Sequence, residues 1–498
     1  MRKTAVAFVL IPFLFAFVNA QSIDEYSVAR YFNASLSNGF HSFDDGDAVI
    51  DTDIASMREN IWDIWKSIVK GYDEEKLIEL DLLENRKTGS WQLPSELEQN
   101  ATMPYYFGCN EYPSLTRGKY PLFVYMHGSG DKNEEWETGI GLCLRRFYSP
   151  AIYFVPQIPN AYGEYYRWAI QSKQWAWEKL LRLAFVNDNV DANKIYFFGI
   201  SEGGYGSQRL ASFYADYLAG AGPMAGGEPL KNAPMENVAN IAFSLRTGEL
   251  DDGFGRNLLT RTALNAADSL ASLYPGYFNH FIEVIPGYGH GIDYTPTTPW
   301  LAQYTRDPHP DFFIWENYDM YGRCRTSFYN LQVIEDAREN SNSRACYEYK
   351  RVGNTINLDV RSVEYTTTYT QGSIPMLFKK EYYDAQKGVV RIYLNEEEFD
   401  LSKPVTLYLN GWKIFEGKVL ASVKSMIESC ALFYDPERLF PAALDVDIAN
   451  YLATTAVNDV ADAETAVGQP VYDISGIKLN EPPKEGIYIK NDRKVLVK

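Results

Sequence analysis

The sequence predicts an α/β protein: a mainly parallel sheet with helices on both faces, followed by a smaller β-rich module. Apolar runs at 122–126, 152–156 and 195–198 are short and almost uninterrupted, which is typical of strands buried on both faces. Segments with helical spacing separate these runs, so right-handed helical crossovers would join parallel strands. From residue 353 onward a two-residue alternation replaces this pattern, which indicates the β-rich module.

The first 20 residues have the pattern of a secretory signal peptide. Arg2 and Lys3 precede an apolar run at 5–18, and Ala20 supplies a small residue at the expected cleavage point. The apolar run is too short for a comfortable membrane span. We therefore expect an exported protein without a membrane span, located outside the cell, in the periplasm or at the cell surface.

The composition argues against several partners. The 498 residues carry a formal charge of −18, which disfavours nucleic acid and other polyanions. Five histidines without H-x-x-x-H spacing argue against a zinc site, and we expect neither a metal nor an organic cofactor. Export permits disulfides, and Cys324 with Cys346 is a candidate pair; buried free thiols are the alternative. The oligomeric state stays open.

Along the chain, residues 21–99 form an N-terminal segment in which the apolar residues of 54–72 fall on one helical face. The main domain is predicted to cover 100–352, with an early strand at 103–107. Its other predicted elements are helices at 134–147, 168–185 and 205–217, and strands at 241–246 and 280–285.

The β-rich module is predicted to cover 353–448, with a hairpin turn at Asn410-Gly411. A linker follows at 449–470, because this Ala/Thr/Asp/Val-rich stretch has no clear period. Residues 471–498 form a short β tail. The other elements predicted in the module are strands at 354–369, 389–394 and 405–409, and helical or mixed stretches at 419–430 and 436–439.

A G-x-S-x-G motif at 199–203 lies between the strand at 195–198 and the helix at 205–217. Strand, sharp turn and helix form the context of a nucleophile elbow, in which the serine hydroxyl is lifted above the sheet. The motif therefore makes Ser201 the candidate nucleophile.

A serine nucleophile needs a general base, and in this architecture the chain order is Ser, then Asp or Glu, then His. Three histidines follow Ser201. His290 lies among glycines after the strand at 280–285, where it would reach the elbow; His280 begins that strand, at the opposite edge of the sheet, and His309 lies between prolines. Elimination and position favour His290.

The acid is expected in the loop at 247–252, after the penultimate strand. Glu249, Asp251 and Asp252 compete for the role. Asp251 stands three residues after Gly248, a placement that would turn its carboxylate towards the base, so we favour Asp251 while the other two stay open.

Two backbone N–H groups would form the oxyanion hole. One would come from Glu202, directly after the nucleophile. The second would come from Ser129 in the H-G-S-G loop at 127–130, which follows an early strand. His127 would shape this loop rather than act in catalysis.

An aromatic stretch suggests a substrate wall. Tyr165, Tyr166 and Trp168 suit the stacking of a sugar or an aryl group. Packing of a helix on the sheet explains the same residues equally well, and it is the better explanation for Trp175 and Trp177.

These motifs resemble those of the α/β-hydrolase superfamily over about residues 100–310. Within it, the chain is similar to exported esterases related to polyhydroxybutyrate depolymerases and to acetyl xylan or feruloyl esterases. The resemblance implies the α/β-hydrolase fold, a Ser201–His290–Asp251 triad and an acyl-enzyme mechanism. The motifs that carry it are H-G-S-G at 127–130, G-I-S-E-G at 199–203, G-E-L-D at 248–251 and G-H-G at 289–291.

The tail, with V-Y-D-I-S-G at 471–476, resembles a carboxy-terminal segment of many secreted proteins of Bacteroidetes. Such segments often follow polysaccharide-degrading domains and can act in sorting. The resemblance implies a secreted serine esterase acting on a small-molecule or polysaccharide ester, with acetyl or feruloyl groups on plant polysaccharide as the implied substrate. The alternatives are a serine peptidase of the prolyl-oligopeptidase type and a non-catalytic carbohydrate-binding surface protein on a hydrolase scaffold.

Overall fold

The computed structural model describes most of the chain between residues 24 and 450, together with short strands in the tail. The predicted signal peptide lies outside the described residues, as does nearly all of the predicted linker. No helix among the described residues is both long and apolar enough to cross a membrane. The described ranges are 24–44, 53–111, 118–159, 168–450, 471–472, 478–479, 486–490 and 493–497.

An eight-stranded sheet forms the centre of the protein. Its strand order is β1-β2-β4-β3-β5-β6-β7-β8; the pairs β1–β2 and β2–β4 are antiparallel, and all later neighbours are parallel. The predicted α/β-hydrolase fold class is confirmed. The strands are β1 (Thr88–Gln92), β2 (Thr102–Cys109), β3 (Tyr120–Met126), β4 (Ile152–Pro156), β5 (Val190–Ile200), β6 (Gly220–Met224), β7 (Ala242–Gly248) and β8 (His280–Ile285).

Helices cover both faces of this sheet. Along β3, Leu122 and Val124 enter one core cluster with residues of α4 and α5, while Phe123 and Tyr125 enter a second cluster with residues of α3 and α7. Alternate side chains of one strand thus pack on opposite faces, as the continuous apolar run predicts. The helices are α1 (Glu25–Asn38), α2 (Ile54–Gly71), α3 (Lys132–Arg145), α4 (Gln171–Phe185), α5 (Glu202–Tyr214), α6 (Arg256–Leu273), α7 (Thr297–Leu301) and α8 (Val423–Phe433).

Two strands of the main sheet, β1 and β6, were not predicted from the sequence; β6 has the sequence GAGPM, which consists mostly of small residues. The structure shows why small residues stand there. A Cβ on Gly222 would lie 2.5 Å from the side chain of Thr297, because α7 packs directly on the strand. Close packing therefore requires small residues in β6, and the β-branched residues that usually indicate a strand are absent from it.

The β-rich module begins earlier than predicted. Residues 312–317 of β9 pair with residues 345–350 of β12. Val352 pairs with Thr355 across the turn between β12 and β13. The predicted boundary between 352 and 353 therefore falls inside a hairpin and is wrong; the module's strands start at Phe312. Its strands up to the linker are β9 (Phe312–Asn317), β10 (Ser327–Phe328), β11 (Leu331–Glu335), β12 (Arg344–Val352), β13 (Thr355–Gln371), β14 (Ile374–Asp384), β15 (Val389–Leu394), β16 (Val405–Leu409), β17 (Trp412–Gly417) and β18 (Ala442–Asp447).

These strands form two sheets. One has the order β17-β16-β13-β12-β9, with β14 paired to β13, and the other has the order β10-β11-β15-β18. The predicted turn at Asn410-Gly411 joins β16 to β17, and both residues have positive φ, as a two-residue hairpin turn requires. The tail holds four further short strands: β19 (Val471–Tyr472), β20 (Lys478–Leu479), β21 (Gly486–Lys490) and β22 (Arg493–Val497).

All five cysteines are free, and four of them are buried. The suggested Cys324–Cys346 disulfide is therefore wrong. Burial raises the pKa of the Cys346 thiol, so this thiol stays protonated and behaves as a small apolar side chain.

Five buried charges join the main sheet to the β-rich module, and we call them the junction cluster. Arg438 donates to Asp216 and to Asp435, at 2.7 Å in each case. Arg325 donates to both carboxylate oxygens of Asp216, and Arg306 donates to Asp435. All five side chains are at most 6% exposed. Because the partners come from α5's end, the loop after α7, the module and the segment after α8, the cluster fixes their relative positions.

The cluster contains three arginines and two aspartates, and aromatic rings accommodate the extra positive charge. The Arg438 guanidinium lies 4.1 Å from the centroid of the Tyr217 ring, within the range of a cation–π contact. Burial acts to raise the pKa of Asp435, but Arg306 and Arg438 outweigh it and hold that pKa well below its ordinary value. Asp435 is therefore ionised throughout the physiological pH range.

Removing one negative charge from the junction cluster is expected to destabilise the protein strongly. Asp216→Asn keeps the side-chain shape but leaves three buried arginines facing one carboxylate, so the free energy of unfolding should fall by about 3–5 kcal/mol. Chemical denaturation measures this change. Asp336→Asn is the matched control, because its pair with Arg338 is one-third to two-fifths exposed and should cost less than about 1 kcal/mol. Equal effects of the two substitutions would contradict the role of the cluster.

Candidate active site

Ser201 lies at the sharp turn between β5 and α5, with φ 55° and ψ −112°. A non-glycine residue rarely adopts this conformation, which is strained. Two backbone hydrogen bonds hold it: the Ser201 N–H donates to the Met224 carbonyl at 2.9 Å, and the Ser201 carbonyl accepts from the Tyr205 N–H at 3.1 Å. The turn therefore places the hydroxyl at the carboxyl edge of the sheet.

Backbone crowding explains the glycines of the motif. A Cβ on Gly203 would lie 1.9 Å from the Met126 carbonyl oxygen, and one on Gly199 would lie 2.4 Å from the Gly203 carbonyl oxygen. Both distances are far below van der Waals contact, so only glycine allows the ends of β3 and β5 to approach the start of α5.

His290 and Asp251 lie beside this serine. The His290 Nε2 is 3.0 Å from the Ser201 Oγ, and the His290 Nδ1 is 2.8 Å from the Asp251 Oδ2. The histidine is about half exposed, whereas Asp251 is 5% exposed. This arrangement lets an imidazole take the serine proton while a buried carboxylate fixes the imidazole's orientation.

Of the three acids left open by the sequence, Asp251 is the one in contact with His290. The Glu249 carboxylate accepts instead from the Gly287 N–H at 3.1 Å, and Asp252 is exposed. Gly248 lets the two loops meet, since a Cβ there would lie 2.1 Å from the Gly289 carbonyl oxygen.

Arg256, at the start of α6, is a site residue that the sequence analysis missed. Its guanidinium donates to the Asp251 Oδ1 at 2.8 Å, which leaves Oδ2 for His290. Burial acts to lower the pKa of Arg256, but Tyr205 and Asp251 outweigh it and raise that pKa. The arginine therefore stays charged and orients the Asp251 carboxylate. In the sequence, the only indication of this role is that an arginine stands five residues after Asp251, and this spacing alone is a weak indication.

The two predicted oxyanion donors flank the serine. Glu202 directly follows the nucleophile and is the first residue of α5. On the other side, a Cβ on Gly128 would lie 3.3 Å from the Ser201 Cβ, so the loop that contains Ser129 borders the nucleophile. Donation by Ser129 and Glu202 to a substrate oxygen stays a prediction.

His127 holds the loop after β3 in place. Its Nε2 accepts from the Ile158 N–H at 3.0 Å, so the proton lies on Nδ1, which donates to the Gly128 carbonyl at 2.8 Å. Burial lowers the pKa of His127 to about 4. The imidazole is therefore neutral at pH 7, and its two nitrogens connect the loop after β3 to the segment after β4.

Trp168 does not line a substrate wall. It is fully buried, its Nε1 donates to the His127 carbonyl at 3.0 Å, and a Cβ on Gly206 would lie 2.5 Å from its Cβ. The structure thus corrects the prediction: Trp168 packs behind the loop and α5. Tyr165 and Tyr166 lie outside the described residues.

Comparison with known proteins gives partial similarities. No family model matches the sequence. Poly(3-hydroxyalkanoate) depolymerase C of Paucimonas lemoignei is 24% identical over 204 residues, which are 37% of this chain and 48% of that protein. The chain therefore spans about half the length of the curated relative it matches.

Solved structures of esterases resemble part of the chain. A thermostable esterase covers 44% of this chain and 63% of its own, with 22% identity and a TM-score of 0.35. A ferulic acid esterase covers 44% of this chain and 97% of its own, with 16% identity and a TM-score of 0.32. Scores at this level carry no statement about the substrate.

The neutral, buried state of His127 is expected to make the protein less stable in mild acid. The unfolded chain binds a proton at this histidine below about pH 6.5, whereas the folded chain does so only near pH 4. This contribution to stability is full above pH 6.5 and is lost as the pH falls towards 4. Between pH 7 and pH 5, the free energy of unfolding of the wild type should fall by about 2 kcal/mol more than that of His127→Gln.

Urea unfolding of both proteins at the two pH values measures this difference. All other titrating groups are shared, so the comparison isolates His127. If the free energy of unfolding changed equally with pH in the wild type and in His127→Gln, the folded protein would not hold His127 neutral.

Proposed function

We propose that the chain is a secreted serine hydrolase that cleaves carboxylic esters through an acyl-enzyme. The observation that carries this proposal is the hydrogen-bonded series Ser201–His290–Asp251, whose members follow the carboxyl ends of three parallel strands of one sheet, β5, β8 and β7. A strained serine with a base and a buried acid in this order is the arrangement that acyl transfer requires.

In the proposed reaction, the His290 Nε2 takes the Ser201 proton as Oγ attacks the ester carbonyl. The N–H groups of Ser129 and Glu202 stabilise the oxyanion of the tetrahedral intermediate. The imidazolium then donates its proton to the alcohol oxygen, the C–O bond breaks and the acyl-enzyme remains. A water molecule, deprotonated by His290, attacks this ester and releases the acid and the free serine.

The substrate proposed is a small-molecule or polysaccharide ester, with acetyl or feruloyl groups on plant polysaccharide as the first candidates. The similarity to a poly(3-hydroxyalkanoate) depolymerase supports hydrolysis of an ester bond, since a polyhydroxyalkanoate is a polyester. The signal-peptide pattern at 1–20 supports secretion.

Ester hydrolysis is tested against its two rivals by substrate choice. Turnover of p-nitrophenyl acetate or methyl ferulate, with little turnover of peptide p-nitroanilides, is the expected result. The reverse preference would assign the protein to the peptidases. A purified protein that turns over neither substrate and never reacts with a fluorophosphonate would instead be a binding protein.

Ser201→Ala is expected to abolish both ester hydrolysis and covalent labelling by a fluorophosphonate probe, because the attacking oxygen is gone. Ser272→Ala, on the exposed side of α6, should be labelled like the wild type. In-gel fluorescence measures labelling. Retained labelling of the Ser201→Ala variant would place the nucleophile elsewhere.

Asp251→Asn is expected to lower kcat/KM by roughly 10³–10⁴-fold, because an amide fixes the wrong imidazole tautomer and cannot stabilise the imidazolium. Two neighbours serve as matched controls: Asp252→Asn and Glu249→Gln should stay within a few-fold of the wild type. A larger loss in either control than in Asp251→Asn would contradict the assignment of the acid.

A further inference from the structure

A cavity of about 430 Å³ lies between the main sheet's loops and the long β13–β14 hairpin, and we call it the hairpin pocket. Its volume is within the range of small-molecule sites. The two units contribute opposite walls. The hairpin wall is mainly apolar, with Ile374, Met376 and Phe378, whereas the main-domain wall combines Tyr205, Phe254 and Leu259 with charged and polar side chains.

The hairpin pocket is coupled to the active site through Arg256. The guanidinium that donates to Asp251 also lies 5.7 Å from the centroid of the Tyr205 ring and 5.3 Å from that of Phe254. Tyr205 follows Ser201 by one helical turn. Tyr205, which follows the nucleophile, therefore lines the pocket and also contacts the arginine that holds the acid.

The hairpin is fixed against the acid's loop. A Cβ on Gly255 would lie 2.2 Å from the Met376 Cε and 2.7 Å from the Gln371 Oε1. Further along β14, Lys380 donates to Glu236 and to Glu316, at 2.7 and 2.9 Å. The hairpin wall is thus held in place at its tip and at its stem.

The pocket carries one cation without a carboxylate partner. Arg209 is paired with Glu228 through two hydrogen bonds, at 2.6 and 3.0 Å. The Lys231 Nζ, in contrast, lies over the rings of Tyr365 and Phe378, 5.8 and 5.6 Å from their centroids. Among residues that the structure describes, no Asp or Glu oxygen comes within ion-pair distance of this ammonium.

We propose that the hairpin pocket is a substrate subsite that accepts a ring bearing one carboxylate, with the ring against the aromatic wall and the carboxylate at Lys231. This inference rests on the proposed function for its link to catalysis. An aromatic face accommodates either an aryl ring or the apolar face of a sugar ring, and an ammonium beside it that has no ion-pair partner favours an anion. The ligand is therefore an acidic aryl group or a uronic acid unit.

The test measures binding without turnover, in the full-length Ser201→Ala protein. Two matched probe pairs are titrated by ligand-observed NMR at pH 7: galacturonate against galactose, and benzoate against benzyl alcohol. At least one acid should bind about tenfold more tightly than its neutral partner. A preference for galacturonate over galactose would identify the ring as a uronic acid, and a preference for benzoate over benzyl alcohol would identify it as an aryl group.

Three further substitutions in the Ser201→Ala protein assign the preference to Lys231. Lys231→Met should abolish the difference between acid and neutral probe, and Lys231→Arg should retain it. Lys379→Met should also retain it, because that lysine is exposed and pairs with Glu381 on the hairpin. Equal binding of acid and neutral probes, or a preference that survives Lys231→Met, would overturn the proposal. Because fluorophosphonate labelling of Ser201 is read separately, this failure is distinguishable from failure of the proposed function.

Discussion

Backbone crowding at the carboxyl edge of the main sheet is the constraint on which the site depends. The Met126 carbonyl presses against Gly203, and only glycine lets β5 turn so abruptly into α5. The same turn forces Ser201 into a strained conformation. Strain at one residue is tolerated because strands and helices on both sides over-determine its position. The loops after β7 and β8 then place the acid and the base beside this fixed serine, and the close contact at Gly248 holds the two loops together.

A second constraint joins distant parts of the chain. The junction cluster gathers charges from the end of α5, the loop after α7 and the segment after α8. The N-terminal segment adds to this joint, since Ser42 donates to Glu428 of α8 at 2.9 Å and Arg58 donates to Glu396 at 2.6 Å. The two units therefore share buried polar contacts as well as a core, which is unlike two domains connected only by a linker.

The sequence predicted the features that local pattern controls. Apolar runs located β3, β4, β5 and β8, and the ordered motifs indicated the residues that the structure brings together at 2.8 and 3.0 Å. Features that depend on long-range contacts were missed or misassigned. The sequence of an apolar strand such as β9 does not show which sheet the strand joins. Arg256 contacts the acid only because the chain folds back at the start of α6, and an aromatic residue such as Trp168 has the same sequence pattern in a core as in a binding wall.

The shared wall of the hairpin pocket has a consequence for how such a protein can diversify. The three groups at the elbow lie on loops of the main sheet, whereas one wall of the neighbouring cavity lies on the β13–β14 hairpin, later in the chain. Changes in the length or side chains of that hairpin alter the cavity without disturbing the strained turn. The cavity nevertheless needs both units, because the main sheet on its own would supply only one of its two walls.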